Sequence, residues 1–140
     1  MINEKSFKEV SDAIRKTCSK IVSIQTKHPS ALERRMKRLL NRNHIKYLFQ
    51  SDMCKMVQGC ENIVEAFYIA NFYFPKKKLA LEIEDSPRNI TDSERDIIKS
   101  ADGVRVYDLG EISHKIHVLK ITKQDMDCPT FEKELIRLLR

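Results

Sequence analysis

Apolar residues recur at helical spacing near the start of the chain and predict a first helix from Asn3 to about Ser23. The residues of this apolar stripe are Phe7, Val10, Ile14, Cys18 and Ile21. A second helix is predicted from Ser30, because Ser30 and Glu33 have the spacing of a capping box and a further apolar stripe follows them.

The middle of the chain has the alternation and composition of strands. Ile45–Gln50 predicts a short strand, and the polar segment Ser51–Glu61 predicts a loop. Val64–Phe74 is rich in aromatic and β-branched residues, which strands favour. Pro75–Lys78 predicts a tight connection to the strand Leu79–Glu84, in which large apolar side chains alternate with alanine and acids.

The last third of the chain changes again between helix and strand patterns. A loop over Asp85–Asn89 precedes a helix that begins at a capping box formed by Thr91 and Glu94 and stops at Gly103. The remaining predicted elements are strands over Val104–Tyr107 and His114–Thr122 and a last helix that opens at Pro129 and Thr130. This order predicts an α/β single domain with a central mixed sheet flanked by helices.

The predicted central hairpin groups candidate chemistry. A turn centred on Lys76 and Lys77 would place Asn71 directly opposite Glu82, with Glu84 on the same face. Opposed side chains have Cβ atoms about 5 Å apart. A carboxylate on so apolar a strand is costly unless it is paired or bound to a cation, and oxygen ligands of this kind suit Mg²⁺ or Mn²⁺. The alternative is an edge strand whose two glutamates point to solvent and pair with lysines.

Positive charge is concentrated in the first part of the chain. The 140 residues have a net charge of +6, but residues 1–80 hold 16 basic and 7 acidic side chains, whereas residues 81–140 hold 10 and 13. Seven of the basic residues lie between Lys27 and Lys46, and Lys76–Lys78 forms a second cluster. Such clusters are typical of proteins that bind the nucleic-acid backbone, although a solvated helix face is the alternative.

The same pattern argues against a membrane protein. No apolar run approaches the roughly 20 residues that a membrane span needs. The start of the chain also lacks the apolar stretch of a secretion signal. We therefore expect an intracellular protein, either cytoplasmic or nucleoid-associated, with no membrane partner.

The order of these motifs resembles the very-short-patch-repair (Vsr) type of endonuclease within the PD-(D/E)xK nuclease superfamily. The resemblance covers roughly residues 20 to 122 and includes the helix start at Ser30 and Glu33. The other matching motifs are Phe49-Gln50, Ala70-Asn71-Phe72, Glu82-Ile83-Glu84-Asp85, Asp92 with Arg95, and Gly103 with Val104-Arg105-Val106. The resemblance implies a restriction-endonuclease-like single domain over residues 1–140.

Within that domain, the resemblance implies a core over residues 26–122 and a C-terminal helix in residues 129–140. The N-terminal helix, in residues 1–25, could pack on the core or mediate a homodimer. The implied activity is that of a metal-dependent DNA endonuclease, which hydrolyses phosphodiester bonds in repair, junction processing or defence. Enzymes of this kind use a carboxylate-bound Mg²⁺ or Mn²⁺ to activate water.

The resemblance also assigns roles to individual residues. Asn71 and Glu82 would hold the metal, and Glu33 would either reach the metal or only cap its helix. Glu84 stands where many members of the superfamily keep a lysine. The residues expected to contact DNA are Arg34, Arg35, Arg38, Lys76, Lys77, Lys78, Arg88 and Arg95.

Two departures from the family pattern open an alternative. Asn71 is neutral where the family has an aspartate, and Ser86-Pro87-Arg88 stands where the family has a glycine and a histidine. The alternative is a catalytically impaired nuclease-fold protein that binds nucleic acid or a protein partner without cutting. A small interaction domain with no nucleic-acid role is a third hypothesis.

Overall fold

The computed structural model describes residues 4–58, 63–84, 88–100 and 116–140 of the chain. Its helices are α1 (Glu4–Lys27), α2 (Ala31–Arg42), α3 (Asp92–Ser100), α4 (Lys123–Asp127) and α5 (Phe131–Leu139). Its strands are β1 (Leu48–Gln58), β2 (Ile63–Phe74), β3 (Leu79–Ile83) and β4 (His117–Ile121). The described part is therefore α/β.

The strands form one mixed, open sheet in the order β1-β2-β3-β4. The first three strands are antiparallel neighbours, whereas β4 lies parallel to β3. A parallel pair needs a crossover connection, and α3 lies in the connection between β3 and β4. The mixed sheet flanked by helices is the architecture that the sequence predicts.

Two groups of helices cover the two faces of the sheet. Successive side chains of a strand point to opposite faces, so Ile69 and Phe72 mark the two sides of β2. On the side of Phe72, apolar residues of α2, α4 and α5 complete the main core. On the side of Ile69, α1 and α3 contribute Ile21, Ile97 and Ile98 to a smaller cluster.

The register of the central hairpin is the predicted one. Phe72 pairs with Leu81, and Phe74 pairs with Leu79, around the four-residue turn Pro75–Lys78. The turn is closed by a hydrogen bond in which the Lys77 amide donates to the Phe74 carbonyl at 3.1 Å. Continued by one residue, this register brings Asn71 to the position opposite Glu82.

The capping boxes predicted at Ser30 and at Thr91 are confirmed, whereas Ser6 and Glu9, which also have this spacing, lie within α1. At the start of α2, the Ser30 amide donates to the Glu33 carboxylate at 2.9 Å, and the Glu33 amide donates to the Ser30 hydroxyl at 3.2 Å. At the start of α3, the corresponding bonds between Thr91 and Glu94 are 3.0 and 3.2 Å long. These ends are set by local hydrogen bonds, which is why the sequence alone could predict them.

Three sequence predictions need correction. The first helix continues to Lys27, beyond its predicted end. The predicted loop Ser51–Glu61 is wrong over its first part, because β1 continues to Gln58 and pairs with β2 along that whole length. Cross-strand pairing thus overrides the polar composition of the segment. The helix α4 was not predicted, although Thr122 and Asp125 form a capping box at its start.

Some predictions lie outside the described residues. They are the last three positions of the predicted loop Ser51–Glu61, the first three positions of the predicted loop at residues 85–89, the helix stop at Gly103, the strand Val104–Tyr107 and the first two residues of the strand His114–Thr122. Among the residues that are described, no helix is long and apolar enough to cross a membrane.

Candidate functional site

Glu33 lies at the centre of a buried polar network at the start of α2. Glu33 is only 1% exposed to solvent. The capping box fixes its position, because Ser30 begins the helix and the Glu33 carboxylate bonds back to the Ser30 amide. The carboxylate is thereby directed toward the polar ends of neighbouring elements rather than toward solvent.

Arg88 neutralises this buried carboxylate. Its guanidinium donates from Nη1 to Glu33 Oε1 at 2.5 Å and from Nη2 to Glu33 Oε2 at 2.9 Å. Nη1 also donates to the His28 carbonyl at 3.0 Å. With the Ser30 amide on Oε1 and the Gln50 side-chain amide on Oε2 at 2.7 Å, the carboxylate accepts four hydrogen bonds. A carboxylate has about four lone-pair sites, so the network uses its full capacity.

Gln50 joins the network from an unusual backbone conformation. Its φ angle is 51°, in the left-handed region that costs a non-glycine residue roughly 1–3 kcal/mol. The residue is 1% exposed, and its Nε2 group donates to Glu33. Within the described part of the chain, its Oε1 atom has no hydrogen-bond partner. The network therefore holds Gln50 in place despite the free-energy cost of its left-handed backbone conformation and of the unsatisfied oxygen of its side-chain amide.

A row of polar residues crosses the sheet next to this network. Gln50 on β1 occupies the register position opposite Asn71 on β2, between the pairs formed by its neighbours on either side. Asn71 is followed by Glu82 at the next position across the hairpin, and Glu82 pairs with Lys120 on β4. Residues paired across neighbouring strands share a face, so the Glu82 carboxylate and the Lys120 ammonium group lie on one face of the sheet. The registers of the flanking pairs, continued by one residue, align Gln50 and Asn71 with them.

The strands separate at Asn71. Its Oδ1 atom accepts a hydrogen bond from the Ile83 amide at 2.8 Å, and the regular pairing of β2 with β3 ends at Phe72 and Leu81. The Asn71 side chain therefore replaces a main-chain contact. Its oxygen is already used by the protein, and the side chain carries no charge that would attract a metal cation.

The structure brings together only some of the predicted acidic and amide ligands. Asn71 accepts a hydrogen bond from the residue after Glu82, whereas Glu33 is directed to Arg88 and Glu84 to the start of α4. Glu84 is exposed, and its Oε2 atom accepts from the Lys123 amide at 3.1 Å. Among the described residues, no group of three or more His, Cys, Asp or Glu side chains is arranged to hold a metal ion.

Of the predicted DNA-binding arginines of α2, Arg34 lies on a different stripe of the helix from Arg35 and Arg38. Arg34 donates to the Pro29 carbonyl at 3.1 Å. Arg35 donates to Asp127 at 2.7 Å, while Arg38 is exposed. Lys37 lies 3.6 Å from the centre of the Phe49 ring, and burial is the main cause that lowers its pKa, with the charge of Glu33 acting in the opposite direction.

The lysines of the hairpin turn lie next to the end of α2. Lys76–Lys78 are all exposed, and the Lys77 ammonium donates to the Arg140 carbonyl at 2.9 Å. The Arg140 guanidinium donates in turn to the Asn43 carbonyl, just after α2, at 3.3 Å. Two basic clusters that are distant in sequence thus adjoin one another. Arg95 is exposed on α3, which covers the other face of the sheet.

Sequence reasoning misses two residues of these surfaces. Lys120 could be placed beside Glu82 only once β4 was known to pair with β3. Arg140 depends likewise on how α5 packs. Arg42 belongs to the basic cluster predicted between Lys27 and Lys46, and it continues the helical stripe of Arg38 because it follows that residue by four positions.

Comparison with known proteins adds no family to this description. No protein-family model, curated protein or solved structure matches this chain. The described residues provide an exposed basic surface and, separately, a polar row whose acids and amides already bond largely to the protein itself.

Proposed function

We propose that this protein binds the DNA backbone through the basic surface formed by α2 and the hairpin turn, and that its polar centre does not cut DNA. The observation that carries the proposal is the contact of Lys77 with Arg140 and of Arg140 with Asn43. Through these contacts, the turn lysines extend the basic surface of α2. A protein that neutralises several phosphates releases condensed counterions, and this release drives backbone binding.

The mixed α/β architecture supports a nuclease-like fold for the domain that carries this basic surface. A mixed sheet flanked by helices is what the Vsr resemblance implies, with Glu33 on α2, Asn71 on β2 and Glu82 on β3. We therefore include a restriction-endonuclease-like fold, and an intracellular location, in the proposal.

The polar centre supports binding without hydrolysis. Glu33 accepts four hydrogen bonds from protein groups, and two of them come from a guanidinium that already neutralises it. A metal that replaced Arg88 would have to break the bidentate ion pair, which is the strongest geometry for such a contact. Asn71 contributes no charge, and its oxygen accepts from Ile83.

The second candidate is a metal-dependent DNA endonuclease. It is favoured by the adjacency of Asn71 and Glu82 on neighbouring strands, with Lys120 beside Glu82. In that case Asn71 and Glu82 would hold Mg²⁺ or Mn²⁺, which supplies an activated water and stabilises phosphate charge.

One set of assays separates the two candidates. Binding is measured by fluorescence anisotropy on short labelled DNA over a salt series, and cleavage is measured on supercoiled and branched DNA with Mg²⁺ or Mn²⁺. We expect salt-dependent binding that falls about tenfold when Lys76–Lys78 are all changed to Gln, and no nicking. Lys99→Gln, on α3, is the matched control and should bind like the wild type.

Two results would overturn the proposal. Metal-dependent nicking by the wild type that disappears in Glu82→Ala would establish the endonuclease instead. An absence of DNA binding at low salt would remove the basic-surface argument altogether. Asn71→Asp sharpens the comparison, because an added carboxylate beside Glu82 should create metal affinity that calorimetry with Mn²⁺ can detect.

A further inference from the structure

A groove lies between α2 and the two C-terminal helices. It has a volume of about 560 Å³ and takes three arginines from one stripe of α2, namely Arg35, Arg38 and Arg42. The opposite wall contains two carboxylates, Asp127 from α4 and Glu132 from α5. Spacings of three, four and seven residues place the arginines above one another on the helix surface.

The two outer arginines are held by the opposite wall. Arg35 donates from Nη1 to Asp127 Oδ1 at 2.7 Å and from Nη2 to the Met126 carbonyl at 2.8 Å. Arg42 forms an ion pair with Glu132. The hydrogen bond from Arg35 is also the main cause that lowers the pKa of Asp127. Both carboxylates thus occupy positions at which a phosphate oxygen could accept the same donors.

The middle arginine has a different environment. Arg38 is exposed and lines the groove between the two held arginines. In the part of the chain that the structure describes, it has no hydrogen bond or ion pair. A guanidinium in such a position can donate two parallel hydrogen bonds to a phosphate.

We propose that this groove is a backbone-phosphate site in which Arg38 makes the contact, while Asp127 and Glu132 compete with phosphate for Arg35 and Arg42. The inference rests on the proposed function, because the ligand is the DNA backbone. The inference adds that Asp127 and Glu132, on the two C-terminal helices, limit the affinity for DNA. Removing the charges of Asp127 and Glu132 would free the guanidinium groups of Arg35 and Arg42. It would also remove two negative charges that repel phosphate.

The test uses the complete chain and a short fluorescein-labelled DNA duplex over a salt series. Arg38→Gln should weaken binding about tenfold and reduce the salt slope by about one, as the loss of one phosphate contact does. Asp127→Asn combined with Glu132→Gln should strengthen binding by about tenfold or more and steepen the slope by about two. Arg137→Gln, on the exposed side of α5, is the matched control.

The outcomes distinguish this inference from the function on which it rests. If the wild type does not bind the duplex, the proposed function fails and the inference fails with it. If the wild type binds and the Lys76–Lys78 variant weakens binding, but Arg38→Gln equals Arg137→Gln, only the inference is overturned. Unchanged or weaker binding by the double variant, with a melting curve like that of the wild type, would contradict the competition between carboxylates and phosphate.

Discussion

The helix α2 makes arginine–carboxylate contacts at both ends, in two different environments. Near its start, the Glu33 side chain is 1% exposed and that of its partner Arg88 is 15% exposed. Two residues after Glu33, at Arg35, the exposed fractions are 39% for Arg35 and 51% for its partner Asp127. For Arg42 and Glu132 they are 62% and 39%. The chemistry of the pairs is the same, so their difference in role comes from burial.

The difference in burial distinguishes a fixed structural ion pair from exchangeable ion pairs along α2. Breaking a buried pair by removing one partner leaves a stranded charge and costs about 3–5 kcal/mol in general. Exposed pairs contribute about 0–1 kcal/mol, because water and salt screen them. The buried pair is therefore fixed, whereas the exposed pairs can exchange one anion for another. Under the proposed function, a backbone phosphate would compete for the exposed arginines Arg35 and Arg42 and not for Arg88.

The largest expected effect is the loss of Arg88. Arg88→Ala leaves the Glu33 carboxylate buried without its cation and should lower the free energy of unfolding by about 3–5 kcal/mol. Urea unfolding at pH 7 measures the change. Adding Glu33→Gln to Arg88→Ala should recover part of the loss, because it removes the stranded charge.

The matched control for this variant is Arg34→Ala. That arginine lies one residue beyond Glu33, and its side chain donates to the Pro29 carbonyl in an exposed hydrogen bond. It should cost less than about 1 kcal/mol, as exposed contacts do. Equal losses of unfolding free energy in Arg88→Ala and Arg34→Ala would mean that burial does not determine how much an arginine contact stabilises the fold.

A smaller effect is expected at the helix caps. Ser30 is buried and caps α2 beside Glu33, whereas Thr122 caps the short helix α4 beside the exposed Asp125. Replacing a cap by alanine costs about 0.5–2 kcal/mol. We expect Ser30→Ala near the upper end of that range and Thr122→Ala near the lower end, by urea unfolding. The reverse order would show that the buried network does not depend on its cap.

The caps and the hairpin show how far the sequence predicts this fold. Ser30 with Glu33 and Thr91 with Glu94 are contacts over three residues, so local spacing determines them. The hairpin register depends only on the turn Pro75–Lys78 and on alternation. The extension of β1 to Gln58 depends instead on β2 as a template, and no local signal in that polar segment indicates it.

The candidate site likewise contains one arrangement that the sequence predicts and one that it does not. The proximity of Asn71 and Glu82 follows from the hairpin and could be predicted. The ion pair of Glu33 with Arg88 joins residues 55 positions apart in sequence. It requires the chain after β3 to return to the start of α2, which spacing cannot indicate. The sequence therefore suggested Glu33 as a cap or a metal ligand, but not as the partner of an arginine.

An exposed pair provides the comparison with the buried one. Arg42→Gln removes the ion pair with Glu132, and both side chains are well exposed. The free energy of unfolding should change by less than about 1 kcal/mol, because solvent already screens the contact. Thermal and urea unfolding measure it beside Arg88→Ala. A loss near that of Arg88→Ala would indicate that the groove is as rigid as the buried network.

The smallest effect is a change in the titration of Asp127. The hydrogen bond from Arg35 is the main cause that lowers the pKa of this carboxyl, helped by the charges of Arg35 and Lys123 and opposed by burial. Because the folded pKa lies below the unfolded one, the contact stabilises the fold above the unfolded pKa. This contribution is lost as the pH falls through the folded pKa.

Carbon-13 NMR titration of the Asp127 carboxyl measures this shift directly. Arg35→Gln should raise the midpoint toward the ordinary value for aspartate, and Lys123→Gln should raise it less, since the lysine acts only through its charge. If the midpoint were the same in the wild type and in Arg35→Gln, the pair would not persist in solution. Arg35 would then reach phosphate without competition, and only Glu132 would oppose binding in the groove.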